Sequence, residues 1–250
     1  MERRTLLAEV LGTATLLAVV TGSAEMASRL APTSPALALL CNTLATGAGL
    51  IALLTALADT GASLNPAATV LEVVAGRMVV VVAVGRALAQ TVGAVLGVVA
   101  AHAMFGLPLV TVSTTARAGA PMVLSEALAT AGLLVVASRS AAQSPSRVPV
   151  VVASWVVAGY WFTQSMCFAN PAVTLARVFT GTAAGIAPSS AAGFVVGELG
   201  GVLLAAALLR ALAPSPALTP VAHERKALRR TTATMTTTAT TAARLGEETT

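Results

Sequence analysis

The chain has 250 residues, of which 56% are hydrophobic, 10% charged and 3% aromatic, and its formal net charge is +5. Soluble domains carry about 25% charged residues, so this composition excludes a water-facing globule, and a mean hydropathy of +0.85 points to a membrane. A pI near 10.6 does not make nucleic acid a partner, because the basic residues gather on no one folded face and stacking aromatics are scarce.

Residues 1–21 open with Met-Glu-Arg-Arg and then run apolar, like a secretory leader, but Glu9 inside the run argues for a retained first span. Further apolar segments follow at about 36–58, 78–105, 121–138, 148–165 and 190–212, giving six in all. Each is near the ~20 residues a helix needs to cross a bilayer. Turn-rich stretches such as GSAEMASRLAPTSP and SRSAAQSPSRVP separate them. Six spans place both termini on one side. With the N-terminus inside, twelve Lys and Arg fall on inner segments and three (Arg29, Arg117 and Arg177) on outer ones. That bias predicts cytoplasmic termini and a cell-membrane location. Residues 213–250 are Thr-rich and lack apolar periodicity, which predicts a disordered cytoplasmic tail after a channel domain over 1–212.

Two stretches interrupt the spans, 59–77 and 166–189. Each holds an Asn-Pro-Ala tripeptide, Asn65-Pro66-Ala67 and Asn170-Pro171-Ala172, although the chain has only three asparagines. A short apolar piece follows each copy, too short to cross. The first span, AEVLGTATLLAV, is matched by SEALATAGLLVV in the fourth, aligning Glu9 with Glu126 and Thr13 with Thr130. Each Glu is followed by two further spans and an Asn-Pro-Ala. Three spans and a half-helix, twice, must form inverted repeats, about 5–105 and 121–212, because three is odd. Non-helical backbone cannot face lipid, so the short pieces must dip into the protein interior from opposite faces. Pro fits the first helical turn and Asn the cap before it. Two capped half-helices then meet near the bilayer centre, positive ends together, with two amide donors left on each Asn for a passing oxygen. Such a centre repels cations and favours uncharged solutes.

AEVLGT, GASLNPAAT, SEALAT and FANPAVTLAR, in this order and spacing, resemble the major intrinsic protein family, the aquaporins and aquaglyceroporins. The resemblance covers about residues 5–212. It implies an all-α membrane fold of six tilted helices plus two re-entrant half-helices, assembled as a homotetramer with one pore per subunit. One departure is Ser63, where many members carry His. The family's narrowest point is set by four positions, and counting from the two asparagines without gaps gives Ala45, Ala158, Cys167 and Val173, with Gly159 as the alternative to Ala158. Water and glycerol channels of the family carry Arg at the position of Val173 and aromatics or His at others. Small, apolar residues at all four imply a wide selectivity region without fixed charge. A Val after the second motif is similar to a bacterial subgroup associated with arsenic resistance, which implies passage of arsenite as neutral arsenous acid, and of polyols such as glycerol.

Arg177 lies four residues after Val173, hence on the same helix face, and is a candidate for the outer vestibule; the alternative is that it snorkels to headgroups or pairs locally. Glu9 and Glu126 are buried carboxylates whose repeat-related places suit accepting N–H groups from the dipping loops better than relaying protons. Glu198 has no evident partner. His102 reads as a satisfied interface residue, Cys167 as pore lining. The two cysteines, Cys41 and Cys167, form no disulfide framework and no metal spacing. Neither a nucleophile–base pair nor a cofactor motif is found, so no catalytic residue, metal or cofactor is expected. The reading is a passive channel for small uncharged solutes, with the lipid bilayer and those solutes as partners. The alternatives are a water or glycerol facilitator of relaxed selectivity, or a proton-coupled secondary transporter.

Overall fold

The computed structural model describes residues 3–213. The tail expected beyond them lies outside the described residues. Six long helices and two short ones follow in order: α1 (Arg3–Leu30), α2 (Pro35–Ala56), α3 (Pro66–Val74), α4 (Val80–Phe105), α5 (Ala120–Gln143), α6 (Val148–Phe162), α7 (Pro171–Ala176) and α8 (Pro188–Ala211). Five of them, α1, α2, α4, α5 and α8, are long and apolar enough to cross a bilayer. At 15 residues α6 is shorter than its apolar run; it ends where the Thr163 hydroxyl donates to Gly159 O at 2.6 Å and accepts from Cys167 N at 3.0 Å. α1 runs further than its apolar stretch, through a segment expected to turn. GSAEMASRL has no proline to stop it, and Glu25 and Arg29 pair at 2.7 Å along its last turns.

Within each repeat the first helix packs tightly on the third. Gly97 of α4 lies against the backbone of Ala14 so closely that a Cβ would collide with the Ala14 carbonyl. Gly201 of α8 does the same in the second repeat, where a Cβ would come within 2.6 Å of Ala127 O. These glycines let helix backbones approach, and in lipid such close packing is a main source of association.

The half-helices tie the repeats together. α3, from the first repeat, buries Ala67 and Leu71 against Ala131 and Leu134 of α5 and Val202 and Ala205 of α8. α7, from the second, buries Ala172, Val173 and Ala176 in a cluster with Leu17 and Val20 of α1 and Ala94 and Val98 of α4. Each short helix thus plugs the opposite half. Around them, long side chains such as Leu7, Leu11, Val81, Leu88, Leu124 and Leu203 are exposed, as faces toward lipid should be.

Candidate solute pathway

Asn65 and Asn170 stand at the N-caps of α3 and α7, with extended backbone (φ −152° and −160°). Asn65 Oδ1 accepts from Ala67 N at 2.8 Å; Asn170 Oδ1 accepts from Ala172 N at 3.0 Å and Val173 N at 3.4 Å. Pro66 and Pro171 fill the next position, where no N–H is required. The amide nitrogens then cross over. Asn65 Nδ2 donates to Ala169 O and Asn170 Nδ2 to Leu64 O, each at 2.8 Å. The two half-helices are stapled tip to tip by these reciprocal bonds. Each amide therefore keeps one free N–H, not the two expected from the sequence, because a carbonyl of the opposite loop takes the other.

That crossing depends on strained backbone. Leu64 and Ala169, just before each Asn, have φ of 54° and 47°, a left-handed conformation that costs a non-glycine residue about 1–2 kcal/mol. Two carboxylates hold it. Glu9 takes Ser63 N at 3.0 Å and Leu64 N at 2.8 Å. Glu126 takes Phe168 N at 3.0 Å and Ala169 N at 2.7 Å. Both carboxylates are completely buried, and the N–H groups they satisfy would otherwise be orphaned in the protein interior.

A second pair supports the first and was not assigned from sequence. Gln90 Nε2 donates to Ser63 Oγ at 3.1 Å and Thr69 Oγ1 at 3.2 Å. Glu198 Oε1 accepts from Asn170 N at 3.1 Å and Thr174 Oγ1 at 2.6 Å. Thr69 and Thr174 each lie four residues after an Asn, so Gln90 and Glu198 are equivalent partners in the two repeats. The signal was present as Gln90-x-x-Gly93 and Glu198-x-x-Gly201, with Gly93 packed on Val10 and Gly201 on Ala127.

Beside the stapled asparagines lies a cavity of about 260 Å³. Its walls are mostly apolar, from Leu16, Val20, Leu50, Leu133, Val152 and Val156, and the two asparagines, Ser63, Thr46, Tyr160 and Arg177 supply its polar points. A second cavity, of about 410 Å³, lies beyond Tyr160 and Arg177 and reaches Asn42, Pro35 and Ala183.

No family model matches the chain. The aquaglyceroporin AqpS of Rhizobium meliloti (strain 1021) is 43% identical over 208 residues, covering 83% of this chain and 89% of that protein. The chain belongs to the major intrinsic protein family. In fold it is similar to the X-ray structure of the aquaglyceroporin from Plasmodium falciparum, with a TM-score of 0.63 and 18% identity over 84% of this chain and 96% of that one. Members of the major intrinsic protein family are multi-pass membrane channels for small solutes, not enzymes.

This major intrinsic protein departs from the gap-free count at its throat. Cys167 and Val173 line the first cavity, but Ala45 and Ala158 do not. Ala158 is exposed and Ala45 is only half-buried, while Thr46 and Tyr160 face the cavity instead. Helix residues are about 100° apart, so an error of one or two positions puts a side chain on another face. Gly159, the alternative at that point, is buried against the Cys167 sulfur, where it makes room for the thiol. Nor are the cavity walls without fixed charge. Arg177 is only 3% exposed and borders both cavities. It does not snorkel. Its Nε donates to Ala184 O, and its guanidinium lies 3.6 Å from the centre of the Phe168 ring. His102 is satisfied on both ring nitrogens, by Pro108 O at 2.7 Å and Thr180 Oγ1 at 2.8 Å. Among the described residues no group of three or more His, Cys, Asp or Glu is placed to hold a metal ion.

Proposed function

We propose that this protein is a passive channel for small uncharged hydroxylated solutes, with arsenite, as arsenous acid, and polyols such as glycerol as its cargo. The observation that carries this reading is the asparagine pair. Each amide has one donor free, beside a mostly apolar cavity of about 260 Å³. A hydroxylated solute can trade a water's hydrogen bonds for those donors, while an ion would lose its hydration in an apolar tube. Val173 and Cys167, small groups on the cavity wall, leave room for a flat triol. A proton-coupled transporter is disfavoured because both Glu9 oxygens and both Glu126 oxygens are occupied by loop N–H groups. We further place it in the cell membrane, with cytoplasmic termini, as a homotetramer with a pore in each subunit.

Proteoliposomes test this reading. Stopped-flow swelling should show glycerol and arsenite entering in proportion to their gradients, without saturation and without response to an imposed proton gradient. Saturable, gradient-driven uptake would refute it. Water flux far above arsenite and glycerol flux would favour a water facilitator instead.

A further inference from the structure

Among the described residues, Tyr160 and Arg177 alone line both cavities. Anything passing from one to the other must go by them. We propose that Arg177, together with the Tyr160–Thr46 hydroxyl pair, is the specificity-determining site of this channel, donating hydrogen bonds to the oxygens of a hydroxylated solute and turning cations away. The proposal rests on the channel reading above and adds the group that selects.

Three observations carry it. Arg177 is 3% exposed, yet the bond from Nε to Ala184 O is the only hydrogen bond its guanidinium makes among the described residues. The other four N–H donors of the fork remain to be satisfied. The terminal nitrogens are not among the enclosed unpartnered atoms, so they reach the cavity space, and oxygen atoms in transit there are acceptors for them. Secondly, the fork is held flat. The Nε bond fixes one edge and the Phe168 ring lies against one face at 3.6 Å, so its free edge is oriented before a solute arrives. Thirdly, two hydroxyls line the first cavity together with Arg177. Tyr160 and Thr46 hydroxyls lie 3.4 Å apart, and both residues are buried. A triol in this cavity therefore meets both a cationic donor and two hydroxyls able to donate or accept.

The electrostatics at this level are one-sided. Arg117 is also stacked toward Phe168, at 5.6 Å, and its guanidinium donates to Gly185 O and Ala183 O. Neither arginine is paired with a carboxylate among the described residues. Arg117 thus adds to the positive potential beside Phe168 and lines neither cavity among the described residues. Val173 cannot supply this charge, and Arg177, one helical turn further along the same face, does.

The test uses full-length protein in proteoliposomes, with R177A, R177K and Y160F beside the unaltered chain. Two quantities are read: the ratio of glycerol to urea flux, and the sodium conductance in a planar bilayer. Loss of donors held by a buried charged group should lower the glycerol preference about tenfold in R177A, with sodium conductance rising by a similar factor. R177K keeps the charge but not the planar fork, so it should hold sodium out while losing most of the preference. Y160F should reduce preference without raising conductance. If R177A does not insert, R177K decides: an unchanged flux ratio overturns the proposal. Unchanged ratio and conductance in R177A overturn it also. Should the unaltered chain pass neither glycerol nor arsenite, the channel reading itself fails, a result separate from any property of the Arg177 variants.

Discussion

Glu126→Gln is a near-isosteric change with a defined cost. The two oxygens of Glu126 each receive one backbone N–H, from Phe168 and Ala169. Glutamine offers one oxygen and one NH₂, so one N–H keeps its acceptor and the other faces a second donor. A buried unsatisfied donor costs about 1–3 kcal/mol, and the left-handed backbone at Ala169 adds to the incentive to relax. A shift of that size changes a two-state population by roughly 5- to 150-fold. The segment that relaxes carries Ala169 O, the acceptor for Asn65, and leads straight into Asn170. Glycerol flux should therefore fall by tenfold or so, and the loop should open more often. Cys167, adjacent to Phe168 and buried, reports that opening directly, since Cys41 is the exposed cysteine and can be replaced by Ser. Maleimide labelling of Cys167 in the C41S background should accelerate in E126Q by a comparable factor. If labelling rate and glycerol flux both match the parent, the carboxylate is not what holds the loop, and the reasoning fails.

Three other outcomes follow from the same geometry. Glu198 places both of its bonds on Oε1, and its Oε2 finds no partner, so E198Q should keep flux and melting temperature near normal, whereas E198L should lower both; equal damage in the two would contradict this. Gly97→Leu should abolish recovery of folded protein on size exclusion, because a Cβ there meets the Ala14 carbonyl and lies 2.8 Å from Leu17 Cβ, and overpacking by even small groups costs about 1–3 kcal/mol. Arg77→Ala breaks an ion pair with Glu72 at 2.7 Å whose side chains are 56% and 39% exposed; exposed pairs contribute about 1 kcal/mol or less, so flux should stay within assay error, and a large loss would mean this end of α3 takes part in permeation.

How much of this was legible follows the range over which each feature is encoded. The half-helices were readable because Asn-Pro fixes a helix start within two residues, by a cap and a missing N–H. The extra turns of α1 were not, since the segment after residue 21 looks turn-rich until Glu25 and Arg29 are seen to pair along a helix. The partners of Glu198 were hidden because Thr174 and Asn170 N lie 24 and 28 residues away. Tyr160 was missed as a cavity-lining residue because a gap-free count led to Ala158, with Gly159 as its alternative. Arg177 was singled out by its spacing from Val173, but whether it faced lipid, a local partner or the pathway could not be read from spacing.

By itself the sequence determined an inverted, twice-repeated membrane chain with two capped stub helices and two buried carboxylates, since those depend on chemistry within a few residues and on an odd number of spans. Only the tertiary structure decided that each stub docks in the other repeat, that the asparagines bond each other's loops, and that Arg177 and Tyr160 line both cavities. Those outcomes depend on helix rotation and on contacts spanning as many as 114 residues, where one position of register turns a side chain from the pathway to the lipid.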